Sequence, residues 1–151
     1  MIAMTASTLA FRIAVLLALA GFGVGLYMGI SHDHAVAPAH AHLLLLGWLS
    51  LFAFGAFYRF NPMLDRGRFA FLQVMFWAIS VTVMALGIAL ITTGGQGRGE
   101  PLAGIGSIGV FLGMIAFAIQ VFRSGVPVAD TAAADPRRQE VLCLGEVDAA
   151  R

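Results

Sequence analysis

Four long apolar runs, separated by short polar or glycine-rich stretches, set the pattern of this chain. The runs cover about residues 9–30, 38–58, 69–92 and 101–122. Each supplies about the 20 residues that an α-helix needs to cross the hydrocarbon core of a bilayer. The separators are HDHAVAP, RFNPMLDRG and TTGGQGRGEP, which hold the residues that most often end helices and make turns. The pattern predicts an all-α fold, an integral membrane four-helix bundle over residues 1–123. A weakly structured cytoplasmic tail is expected over 124–151. The AVA at 35–37 has the form of a cleavage site but lies well beyond the first apolar run. That run is longer than the core of an ordinary signal peptide, so four retained spans are expected.

Composition settles the solvent. Sixty per cent of the residues are hydrophobic, 11% are charged, and the mean hydropathy is +0.89. Soluble domains carry about 25% charged residues, so this chain belongs in a lipid bilayer. Nine arginines face eight acids, and the net charge of +1 gives no ground for a nucleic-acid partner. The arginines also orient the bundle. Arg12, Arg59, Arg66, Arg68, Arg123, Arg137 and Arg138 fall on one side of a four-span topology, and Arg98 alone falls on the other. Positive charge collects on the cytoplasmic side, so both termini are expected there. In a cell inner membrane the turn between the first two spans then faces the periplasm. Cys143 belongs to the tail, so no internal disulfide can form and no thiol serves the outer face.

Small residues recur at helical spacing. The first span carries Gly21, Gly25 and Gly29, and the fourth carries Gly106, Gly109 and Gly113. Such stripes let helices approach closely in lipid. They suit packing inside the bundle, a homo-oligomer interface, or room for a flat cofactor. The polar residues within the spans are Ser50, Gln73, Ser80, Thr82 and Gln120. None is ionisable, which argues against a pump or an ion-driven carrier. Pro38 and Pro101 are expected at helix starts, where a missing N–H matters little. Asn61, Pro62 and Asp65 suit a cytoplasmic turn.

The candidate chemistry lies in one place. His32, His34, His40 and His42 fall within eleven positions, and the rest of the chain has no histidine. His32 and His34 flank Asp33 just past the first span, whereas His40 and His42 open the second. Two residues apart on a regular helix point about 200 degrees apart, so His40 and His42 should face different environments. Two chemistries suit the group. Three or four imidazoles, with Asp33, could hold Zn or Cu, and Met28 could join as a soft ligand to copper. Alternatively, one histidine of the second span ligates haem iron while the others orient it.

The stretch APAHAHLLLLGWLSLFAFGAFYRF resembles the second membrane span of subunit I in the haem-copper oxidase and nitric oxide reductase superfamily. It is especially similar to short stand-alone membrane proteins related to that subunit, with their HAHL-x-x-x-GW motif and Tyr-Arg ending. The matching residues are His40, Ala41, His42, Leu43, Gly47, Trp48, Tyr58 and Arg59. The resemblance implies haem b near the outer face, with His40, two residues after Pro38, as an axial ligand. Full-length subunits are about three times longer and carry further histidines on later helices. This chain has none there, so one copy cannot build a complete dioxygen- or nitric oxide-reducing centre.

A second axial ligand is left open: a histidine of a second copy, His32, His34, or one of Met28, Met75, Met84 and Met114. Arg98 is a candidate partner for a haem propionate. No Gly-rich phosphate loop, Ser/His/Asp set or buried carboxylate points to catalysis, so whether the chain is an enzyme is left open. The expected function is a small membrane haem- or metal-binding protein of respiratory type, handling electrons, a diatomic gas or the cofactor itself. One alternative is a zinc- or copper-handling protein. Another is an accessory or assembly subunit that packs on a respiratory complex without its own cofactor.

Overall fold

The computed structural model describes residues 4–124, so the expected tail beyond them, with Cys143, lies outside the described residues. Four apolar stretches are long enough to span a membrane, at Ala6–Ser31, Ala37–Phe60, Arg68–Thr92 and Gln96–Arg123. Helix α1 is the first of these, Ala6–Ser31. The second span has three parts: α2 (Ala37–His42), a π-helical stretch (Leu43–Leu49) and α3 (Ser50–Phe60). A single turn, α4 (Pro62–Asp65), leads to α5 (Arg68–Thr92) and α6 (Gln96–Arg123). The protein is a small, all-α, membrane-spanning helical bundle.

Two boundaries differ from the hydropathy pattern. Helix α1 begins three residues before the apolar run because polar groups satisfy its first amides. The Thr5 hydroxyl accepts from the Thr8 amide, and the Asp65 carboxylate accepts from the Ser7 amide (2.6 Å) and hydroxyl (2.9 Å). Helix α6 begins at Gln96, so Pro101 lies inside the helix and not at its start. The glycines of this segment look like a loop in sequence, yet Gly99 serves packing. A Cβ there would lie 2.7 Å from the Gly87 carbonyl oxygen and 2.8 Å from the Ile91 amide nitrogen.

The tightest core lies in the half of the bundle away from the histidine turn. Leu51, Phe54 and Tyr58 of α3 meet Val74, Trp77 and Val81 of α5, and Ala6, Ala10 and Ala14 give α1 a flat face against them. Phe117 of α6 stacks on Phe54 with ring centroids 4.1 Å apart. Large side chains such as Leu19, Leu26, Ile105, Phe111 and Phe122 point outward, the expected surface for a bundle surrounded by lipid chains.

The glycine stripes are used within the chain. Gly106, Gly109 and Gly113 lie against Met84, Ser80 and Trp77 of α5, and added Cβ atoms would meet those residues. Gly21 faces Leu44 and Gly25 faces His40, whereas Gly29 has open space beside it. The Gly106/Gly109/Gly113 face expected to meet a second copy is therefore covered by α5. Of the α1 stripe, Gly29 is the member left clear.

Polar groups in the spans bind the helices to one another. Tyr58 donates to Gln73 Oε1 (3.0 Å) and Gln73 Nε2 donates to the Gly113 carbonyl (3.3 Å), whereas Ser80 donates to the Phe76 carbonyl of its own helix. Among the described residues, every buried side-chain nitrogen or oxygen has a partner. In lipid an unpaired one would cost several kcal/mol, roughly.

Candidate functional site

The chain reverses between α1 and α2 through a polar turn. His32 caps α1 in the left-handed region, φ 57°. Its carbonyl accepts from His34 Nδ1 (3.3 Å), while Asp33 Oδ1 accepts from the Ala35 amide (2.9 Å). The ring nitrogen and carboxylate of the HDH turn are thus engaged with the turn's own backbone, and all three residues are exposed. Among the described residues, no group of three or more His, Cys, Asp or Glu side chains converges so as to hold a metal ion. The shared site expected from His32, Asp33, His34, His40 and His42 is therefore not assembled. Local hydrogen bonds hold the turn outward, and the two helical histidines diverge.

That divergence follows from helix geometry. His40 turns into the bundle, where its Nδ1 lies 2.8 Å from the carbonyl oxygen of Gly21 on α1. His42 stays on its own helix, its Nδ1 2.7 Å from the Pro38 carbonyl. A carbonyl only accepts, so both rings donate from Nδ1. His40 also lies against a gap in α1. A Cβ on Gly25 would sit 2.9 Å from His40 Cε1, so glycine at this position makes room for the ring.

His40 opens onto a cavity of about 630 Å³ in the histidine half of the bundle. Leu17, Ala20, Gly23, Val24 and Tyr27 form the α1 wall, and Thr82, Ala85, Leu86 and Ala89 form the α5 wall. Val36, Ala39 and Leu43 flank His40 on the second span. Tyr27 and Leu86, each 59% exposed, make the cavity open to the surrounding bilayer on one side. The Thr82 hydroxyl donates to the Ala78 carbonyl (2.8 Å), so His40 and Tyr27 bring the remaining polar side-chain groups to a largely apolar lining.

The remaining candidates lie elsewhere. Met28 is buried on α1 at 6% exposure and is not part of the cavity wall. Arg98 is exposed on the first turn of α6, at the same end of the bundle as the histidine turn. Sequence reasoning missed the α5 wall. Ala85 and Ala89, four residues apart, are the signal that could have marked it, because small residues on one helical face leave space.

No protein-family model matches this chain, and neither the curated proteins nor the solved structures provide a match.

Proposed function

We propose that this protein is a haem-binding membrane protein of respiratory type, with His40 Nε2 as the axial ligand of a haem b held in the cavity between α1, α2 and α5. One observation carries the reading. His40 donates Nδ1–H to the Gly21 carbonyl, and its ring lines an apolar cavity. Metal-binding histidines are characteristically oriented in this way, by a backbone carbonyl on the second ring nitrogen that fixes the tautomer and raises basicity. The resemblance of the second span to oxidase subunit I singles out the same residue from an independent direction.

The residues present fit a flat, apolar group. The cavity lies within the range of roughly 300–1,000 Å³ typical of cofactor sites, and its walls are mostly aliphatic, with alanine, glycine, leucine and valine side chains. Arg98 belongs to the same end of the bundle and suits a propionate at the cavity mouth. With both termini cytoplasmic, this end faces the periplasm of an inner membrane. Bound there, haem would supply reversible one-electron chemistry or a site for a small gas. The chain's own part is to orient His40, exclude water and keep the ring's proton on Nδ1.

The test is an absorption spectrum and elemental analysis of the full chain purified from membranes supplied with haem. A Soret band that His40→Ala abolishes and His42→Ala leaves in place supports the reading. A colourless, metal-free protein whose His40→Ala variant folds and assembles normally would point instead to an accessory subunit without a cofactor.

A further inference from the structure

We infer that the π-helical stretch is a register device: Ser50 and Trp77 hold one extra residue in the second span, and that residue is what turns His40 onto α1. Side chains of this span at intervals of four meet α1. His40 bonds to the Gly21 carbonyl, and a Cβ on Gly21 would run into Leu44. Trp48 meets Phe22 with ring centroids 6.4 Å apart, and Phe52 meets Phe11 at 5.3 Å. A regular α-helix cannot align these four. At ~100 degrees per residue, the steps from His40 to Phe52 would leave His40 about 120 degrees off the Phe52 face. A π turn closes from i to i+5, and its extra residue removes about 100 degrees of that drift.

Two consecutive carbonyls hold the wide turn. In an α-helix the Leu45 carbonyl would accept from the Leu49 amide, and the Leu46 carbonyl from the Ser50 amide. Here the Ser50 amide reaches back to the Leu45 carbonyl, and the Ser50 hydroxyl donates to the same oxygen at 3.1 Å. The Leu46 carbonyl accepts from the Trp77 indole of α5 at 2.9 Å. Ser50 and Trp77 are thus positioning residues, acting on His40 through the backbone alone. Without these two donors the stretch relaxes to a regular helix. Ala41, within about 20 degrees of the Phe52 face in that register, then takes the place of His40. The cavity is lined by an imidazole in one register and by a methyl group in the other.

The test is disulfide crosslinking of the full chain in membranes, in a Cys143→Ala background. Gly25→Cys on α1 is paired in turn with Ala39→Cys, His40→Cys and Ala41→Cys. No cofactor takes part, so the result stands apart from the haem reading. Position 40 is expected to crosslink about tenfold faster than position 41, because Cβ vectors that point apart cannot be bridged. Ser50→Ala combined with Trp77→Phe should reverse that preference. Deleting Leu45, which is 59% exposed, from the doubly substituted chain should return the crosslink to position 40. Removing a residue would not rescue a fold that was merely destabilised. The same deletion made alone should also keep the crosslink at position 40. A doubly substituted chain that still favours position 40 would overturn the inference. So would a singly deleted chain that crosslinks at position 39 or at none of the three.

Discussion

The Trp77 indole donates its Nε1–H to the main-chain carbonyl of Leu46 at 2.9 Å, tying α5 to the middle of the π-helical stretch that follows His40. Wider π turns turn carbonyls off the regular ladder and often occur at functional sites. Here one such carbonyl meets the largest fully buried side chain of the protein. Trp77→Phe removes the donor and part of a well-packed ring. The interhelical hydrogen bond contributes about 0.6 kcal/mol in a membrane, and the lost ring volume adds about 1–2 kcal/mol. The expected outcome is a loss of about 2 kcal/mol in detergent unfolding, together with weaker haem retention because the stretch that positions His40 is loosened. Unchanged stability would mean that the indole is not an anchor.

Gly104 and Gly106 make a controlled pair on α6. A Cβ on Gly104 meets nothing within 4 Å, whereas one on Gly106 would lie 2.5 Å from the Met84 amide nitrogen and 2.6 Å from its Cα. Backbone atoms cannot rotate away, so Gly106→Ala must push α5 and α6 apart. It is expected to destabilise by about 1–3 kcal/mol. Gly104→Ala should be neutral or stabilise by about 0.5–1 kcal/mol, through lower unfolded-state entropy. Unfolding midpoints of the two variants in one detergent provide the comparison, and equal effects would count against the α5–α6 contact.

Gly25 bears on the cofactor more than on the fold. The nearest atoms to an added Cβ belong to the His40 ring, at 2.9 Å for Cε1 and 3.4 Å for Nδ1. A side chain can move, so Gly25→Ala should displace the imidazole from the Gly21 carbonyl at little expense in stability. Haem affinity is expected to fall by about 10–100-fold, the usual range for losing the hydrogen bond behind a metal-binding histidine. Haem titration of wild type and variant, alongside their melting temperatures, separates the two effects. A drop in stability with haem affinity intact would contradict this division of roles.

The spans and their number were legible because lipid demands long apolar runs, and the runs are unmistakable. The divergence of His40 and His42 was legible too, since a two-residue separation on a helix forces it. Other features had no local signature. The π-helical stretch is a run of leucines, Gly47 and Trp48, and nothing in such a run announces an extra residue per turn. Helix α6 begins inside a glycine-rich segment because Gly87 and Gly99 approach each other from separate helices, a relation that no single window contains. The HDH turn has the ligand types of a metal site, but left-handed backbone at His32 and local hydrogen bonds orient it outward. Residue type alone could not foresee that.

Asp65 and Ser7, 58 residues apart, couple the first turn of α1 to the turn after the second span. The carboxylate accepts from the Ser7 amide and hydroxyl, at a helix N-terminus where negative charge is favoured. Asp65→Ala leaves the amide and hydroxyl unpartnered and should destabilise by about 1–2 kcal/mol. Asp65→Asn keeps one acceptor oxygen for the amide, and the Ser7 hydroxyl can rotate to accept from the new NH2, so its effect should be less than half as large. Ser7→Ala removes the hydroxyl bond while sparing the amide bond, and it should resemble Asp65→Asn. Amide hydrogen exchange at Ser7 should therefore quicken in the order wild type, Asp65→Asn, Asp65→Ala. Haem binding in the other half of the bundle should be unaffected. If Asp65→Ala left exchange at Ser7 unchanged, the carboxylate would not be what holds the first turn of α1 together.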